Sequence, residues 1–330
     1  MNKKQLIGLV VAGLVFAFVA SASILTNRIA ESMPKKPSFM ETLLEAEDKL
    51  SLPTSDFIGV VDVQGTILDT ASSPFTAASY NHTKTLELID SYKNATNNKG
   101  ILLTVNSPGG GVYESDALYL KLKEYKEATD RPIWTYMENQ AASGGYYIAM
   151  ASDKIVANRN TWTGSIGVII GLSNYKELAE KIGYKEIYFT SGSNKTMGSA
   201  TMELTKEQEE IFQSLVDESY DQFFDIVARG RGIERNELKD IADGRIYTAK
   251  QALKLNLIDG IDTYDNTVKE FLENTSTPLL YTPDFDPWGI KSLLGEAKSL
   301  RPKSDAEIVS EFIAKQGNGV PMYYADPGKY

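Results

Sequence analysis

Cysteine is absent from the 330-residue chain, and histidine occurs once, at His82. The first absence excludes disulfides, a thiolate nucleophile and any cysteine-ligated zinc or iron–sulfur site. The second excludes a multi-histidine zinc centre. It also leaves a Ser-His-Asp triad dependent on His82 alone, which sits in the polar run Ala78-Ser79-Tyr80-Asn81-His82-Thr83. A serine hydrolase made from this sequence would take its base from a lysine or a carboxylate instead. Basic charge is short as well. Lys and Arg number 34 against 44 Asp and Glu, a formal net charge of −10, so no basic patch is expected to neutralise phosphates and no nucleic-acid partner is implied. No metal or organic cofactor is indicated.

One long apolar run exists. It extends from Leu6 to Leu25 behind Lys3 and Lys4, and about twenty uncharged residues suffice to span a bilayer. The lysines favour a cytoplasmic N-terminus and place the remainder outside. Ala20-Ser21-Ala22 also fits a signal-peptide cleavage site, but the run continues past it through Ile24 and Leu25, which favours a retained anchor. The organisation expected is an anchor over residues 1–26, a stalk with a short amphipathic helix (Phe39 to Leu50) over 27–55, a body over 56–300 and a mobile tail over 301–330.

The body alternates buried-strand runs with helical periodicity. Phe57 to Leu68 and Gly100 to Val105 read as strands, and Thr83 to Asn94 and Glu114 to Ala128 as helices. Further along, Lys154 to Ala157 and Glu186 to Thr190 read as short strands. Thr163 to Ile170 reads as a stretch through the centre of the fold, and Thr205 to Arg229 as a long, largely core-facing helix. Strand, turn, helix, strand in repetition predicts an α/β fold of crossover units, whose function gathers at the strand ends.

Two strand ends stand out. Asn106-Ser107-Pro108-Gly109-Gly110-Gly111 ends one strand, and consecutive glycines can present backbone N–H groups to an oxyanion, although the same run also serves as plain turn punctuation. It lacks the spacing of a nucleotide loop. The second is Asn139 to Ile148, between a strand and a helix, where Ser143 lies among Ala141, Ala142, Gly144 and Gly145. A serine at such a turn is either a displayed nucleophile or an ordinary helix cap. On geometry the Gly144 N–H is an oxyanion donor candidate. Lys195 lies in a loop of small polar residues, Ser191 to Ser199, where a lysine is ordinarily a solvated charge.

Taken together, Asn106-Ser107-Pro108-Gly109-Gly110, Ala142-Ser143-Gly144-Gly145-Tyr146-Tyr147, Thr163-Gly164-Ser165-Ile166-Gly167, the Lys195 loop and Asp243-Gly244-Arg245-Ile246-Tyr247-Thr248 resemble the signal peptide peptidase A family of Ser-Lys peptidases. The resemblance covers roughly residues 56–275. It implies a fold similar to Clp protease and crotonase, a membrane-anchored extracytoplasmic peptidase, ring- or dome-shaped homo-oligomers, and cleaved signal peptides as substrates. It also implies Ser143 as nucleophile, Lys195 as general base, Ser165 as the residue that holds the lysine, and the Gly110 N–H as oxyanion donor. A free lysine with a pKa near ~10.4 is protonated at neutral pH, so the dyad needs a value lowered to roughly 7–8, a shift of about 3–5 kcal/mol. The rival readings are a non-catalytic peptide-binding scaffold and an acyl-CoA enzyme on the same fold.

Overall fold

The structure is a computed structural model that describes residues 51–69, 80–283 and 322–324. The apolar run 6–25, the amphipathic stretch 39–50 and most of the 301–330 tail lie outside the described residues. Among the described residues, no helix is long and apolar enough to cross a membrane.

The body is a mixed α/β structure. Its main sheet contains β1 (Phe57–Gln64), β2 (Asn98–Ser107), β4 (Ile133–Ala142), β5 (Lys154–Ala157), β6 (Trp162–Gly164), β7 (Ile246–Thr248), β8 (Gly260–Ile261) and β9 (Leu280–Tyr281). The path β7-β6-β4-β2-β1-β9 runs across it, with β5 and β8 branching from β4. All pairings are parallel except β6 with β7. β2 and β4 read as near-continuous apolar runs because parallel strands are covered on both faces. Ile101, Leu102, Leu103, Ile133 and Met137 are wholly buried. β4 is shared along its length: Trp134–Met137 pair with β5, and Gln140–Ala142 pair with β6. That split carries β6 to the end of β4, where the chain turns at Ser143.

Helices α1 (His82–Asn94) and α2 (Val112–Thr129) follow β1 and the glycine strand β3 (Gly109–Gly111). From α1, the Tyr92 ring lies over β1 and its hydroxyl donates to the Val60 carbonyl at 3.0 Å. Gly59 makes room, since a Cβ there would fall 2.5 Å from the ring. Elsewhere in the core, Trp134 stacks on Phe271 of α8 (Tyr264–Asn274) at 4.6 Å between centroids. The short helices α3 (Gly144–Ala149), α4 (Lys176–Lys181), α6 (Arg235–Lys239) and α7 (Ala249–Lys254) fill the connections.

The long helix α5 (Lys206–Arg231) starts at a Thr205–Gln208 capping box and stops at Gly232 in the left-handed region, φ 62°. Its C-terminal half is core, with Phe223, Phe224, Ile226 and Val227 buried, but Leu215 in the N-terminal half is exposed. The core face is therefore shorter than its periodicity predicts. Two other expectations are corrected. The stretch from Thr163 stays buried only to Ile166, and Ile169 is already exposed. Residues 186–190 form no strand; Ile187, Tyr188 and Phe189 are exposed. β-favouring side chains make a strand only where a neighbouring edge and a face to pack on exist.

Candidate active site

Ser143 occupies a strained turn. Its backbone lies at φ 53°, ψ −117°, between the end of β4 and the start of α3. The Ser143 amide donates to the Gly164 carbonyl of β6 at 2.8 Å, and its own carbonyl accepts from the amides of Tyr146 and Tyr147 at 2.9 and 2.8 Å, which starts the helix. Its side chain makes no cap hydrogen bond. The Oγ is buried with no hydrogen-bond partner. This answers the plain alternative, because a capping serine would spend its hydroxyl on the first helical amides. A non-glycine residue held at such angles costs about 1–3 kcal/mol, and a buried unpaired hydroxyl costs about the same again. Fold stability gains from neither feature.

The glycine strand β3 lies beside this turn. Ile67 donates its amide to the Gly109 carbonyl at 2.9 Å, and the Gly111 amide donates to the Ile67 carbonyl at 2.9 Å. Since backbone groups alternate sides along a strand, Gly110 turns its N–H and C=O the other way. On that side lies β10 (Met322–Tyr324), antiparallel, with Tyr323 facing Gly110. The absence of side chains is required here. A Cβ on Gly110 would fall 1.9 Å from the Ile67 oxygen, and one on Gly144 would fall 3.1 Å from the Gly110 nitrogen and 2.4 Å from the Ser115 Oγ. The structure thus brings Ser143, Gly144 and Gly110 together.

Ser165 follows Gly164 directly, at φ 51° and 8% exposed, with its amide bonded to the Arg245 carbonyl at 2.8 Å. It is therefore the residue next to the carbonyl that holds Ser143. Lys195 is placed differently. It is exposed in the turn-rich loop 191–198, and the partnerless Ser143 hydroxyl is not bonded to it. His82 is engaged elsewhere, its Nδ1 lying 2.6 Å from the Tyr80 hydroxyl.

Two anchors escape sequence reasoning. The Tyr146 hydroxyl donates to the Leu257 carbonyl at 2.7 Å, and the Tyr147 hydroxyl donates to Asp116 Oδ1 of α2 at 2.6 Å while accepting from Gln222 Nε2 of α5 at 2.9 Å. Burial, then the Asp116 carboxylate, push the Tyr147 phenol far above its ordinary pKa. These contacts tie the helix behind Ser143 to three parts of the chain. A six-residue helix is too short for its periodicity to announce such roles. Tyr323 is equally hidden: its ring stacks on Tyr147 at 4.9 Å and meets Phe223 at 4.7 Å, and its hydroxyl donates to the Ser219 carbonyl at 2.9 Å.

Residues 125–276 match the model of Peptidase family S49. That stretch contains Ser143, Ser165 and Lys195, and Gly110 precedes it. An Enterococcus faecium protein provisionally named signal peptide peptidase SppA is 38% identical over 274 residues, which is 80% of this chain and 79% of that one. The chain belongs to peptidase family S49. Among its S49 relatives, the chloroplastic serine protease SPPA of Arabidopsis thaliana is 28% identical over 249 residues, 71% of this chain and 36% of that one. Protease 4 of Haemophilus influenzae is 30% identical over 213 residues, 64% of this chain and 34% of that one. This S49 chain spans about a third of the length of those two relatives.

Proposed function

We propose that this S49 peptidase hydrolyses peptide bonds through an acyl-enzyme on Ser143, with Lys195 as general base, Ser165 holding the lysine and the N–H groups of Gly110 and Gly144 receiving the oxyanion. The observation that carries the reading is the Ser143 turn, with its strained backbone and its buried, partnerless hydroxyl. Lys195 removes the hydroxyl proton as Ser143 Oγ attacks the carbonyl carbon. The lysine then returns the proton to the leaving amine and activates the water that releases the acyl group. The glycine strand supports the substrate geometry, because an extended peptide laid antiparallel on Gly109–Gly111 would meet the backbone edge that Met322–Tyr324 meets here.

Assembly completes the site in this reading. Lys195 belongs to an arm, residues 169–202, on which Ile169, Leu178, Ile182, Ile187, Phe189 and Met202 are exposed, Phe189 by 97%. An apolar surface of that extent supports contact with a second copy, and such contact would strip water from the Lys195 ammonium, the condition for a lysine base at neutral pH. The arrangement of crossover units fits the Clp protease and crotonase fold. With residues 6–25 as a membrane anchor, the substrates are remnant signal peptides at the outer face of the membrane.

The test is hydrolysis of an apolar signal-like peptide in vesicles by the full-length chain, beside Ser143→Ala, Lys195→Ala and the two variants co-assembled. Each variant alone is inactive. If the dyad forms across subunits, the mixture recovers up to about a quarter of parental activity. Full activity in Lys195→Ala would move the base elsewhere, and an assembled but inactive parent would favour a peptide-binding scaffold.

A further inference from the structure

A second hydroxyl beside the Ser143 turn has no partner. Ser115, the fourth residue of α2, is fully buried, and its Oγ makes no hydrogen bond. A helical serine ordinarily donates to a carbonyl three or four residues back. Other helix serines of this chain do so: Ser91 to the Glu87 carbonyl at 2.9 Å, Ser214 to Ile211 at 2.7 Å and Ser219 to Leu215 at 3.0 Å. Ser115 does not, although its helix leads directly from the glycine strand. Alanine would fill the same space without burying an unsatisfied donor, so the fold by itself gives no reason for the hydroxyl.

Its position supplies one. Gly144 packs against both Ser115 and the glycine strand. A Cβ built on it would lie 2.4 Å from Ser115 Oγ, 3.1 Å from the Gly110 nitrogen and 3.2 Å from the Gly109 α-carbon. The hydroxyl therefore lies on the side of Gly144 that faces the Gly110 nitrogen, near the backbone of both proposed oxyanion donors.

We propose that the Ser115 hydroxyl is a third hydrogen-bond donor to the oxyanion, beside the N–H groups of Gly110 and Gly144. The inference rests on the peptidase reading of Ser143. The hydroxyl is unpaired in the resting enzyme because its acceptor exists only when the carbonyl oxygen of a bound peptide takes on negative charge. A donor whose bond forms chiefly in the transition state raises kcat and leaves KM nearly unchanged.

The experiment uses the assembled full-length chain and a peptidyl fluorophosphonate. Ser143 Oγ bonds phosphorus, fluoride leaves, the serine proton passes to the base, and the phosphoryl oxygen takes the oxyanion position. Labelling rate, peptide kcat and KM, and thermal midpoint are measured for the parent, Ser143→Ala, Ser115→Ala and Ser115→Cys, whose thiol is a weak donor. Both Ser115 variants should label about 10- to 100-fold more slowly and lose the same factor in kcat, with KM within about twofold and a midpoint equal to or above the parent's. Labelling of Ser115→Ala at the parental rate, with Ser143→Ala silent, overturns the proposal and leaves the nucleophile standing. A slowed rate accompanied by a lowered midpoint assigns Ser115 a packing role and also overturns it. Labelling of Ser143→Ala refutes the nucleophile itself, and the third donor with it.

Discussion

The Ser143 amide is held by the Gly164 carbonyl at 2.8 Å, and Ser165 is the next residue along. A three-residue strand, β6, therefore places two serines of the candidate site at once, and both adopt positive φ, 53° and 51°. Neither conformation is favoured by the residue itself. Each is imposed by pairing, β6 against β4 on one side and β7 on the other.

That imposition predicts the behaviour of Ser143→Gly. Glycine accepts the left-handed angles, and the unpaired hydroxyl disappears, while the unfolded chain gains freedom. The expected net effect is a stabilisation of about 1–2 kcal/mol, a thermal midpoint higher by a few degrees, with no peptidase activity left. Calorimetry beside a hydrolysis assay checks it, and a fall in midpoint would show that the turn is not strained.

Gly110→Ala should do the reverse. Its new methyl group would lie 1.9 Å from the Ile67 carbonyl oxygen, a backbone atom that cannot rotate away. The strand must shift from Ile67, and the proposed oxyanion donor moves with it. Activity is expected to fall by about 100-fold or more with a lowered midpoint, whereas near-parental kinetics would place the donor elsewhere.

Tyr323→Ala tests whether β10 and substrate compete. The substitution removes a ring packed on Tyr147 and Phe223, at a cost of about 3 kcal/mol. It also loosens the strand that faces Gly110. Short peptides should then show a KM several-fold lower despite the reduced stability; an unchanged KM would mean that the tail and the substrate use different edges.

The single histidine gives a pH signature. Burial lowers the His82 pKa below its ordinary 6.5, and the carboxylates of Glu114 and Asp69 oppose the shift only in part. The folded state then binds fewer protons at this site than the unfolded chain, so this site's contribution is complete above about pH 6.5 and is lost as pH falls through and below that value. His82→Gln should flatten this part of the acid limb in denaturant titrations between about pH 7 and 5. An unaltered limb would place the acid sensitivity in carboxylates instead.

Much of this is legible in sequence because it is local. The apolar run at Gly100 to Val105 reads as a buried strand by its own pattern, and the absence of cysteine with a single histidine narrows the chemistry by composition alone. The small residues around Ser143 mark a place where backbones approach closely. Other features could not be read, since they depend on partners distant in the chain. Tyr323 meets Gly110 across more than two hundred residues, and the Tyr147 hydroxyl joins α2 to α5. Residues 186–190 have strand-like composition but find no edge, so they remain irregular. Sequence by itself determined which groups are available for chemistry, because residue type fixes what can ionise, donate or attack. Tertiary structure alone decided that the Ser143 and Ser115 hydroxyls go unpaired and that Gly144 packs against the glycine strand, because only packing can bury a polar group and withhold its partner.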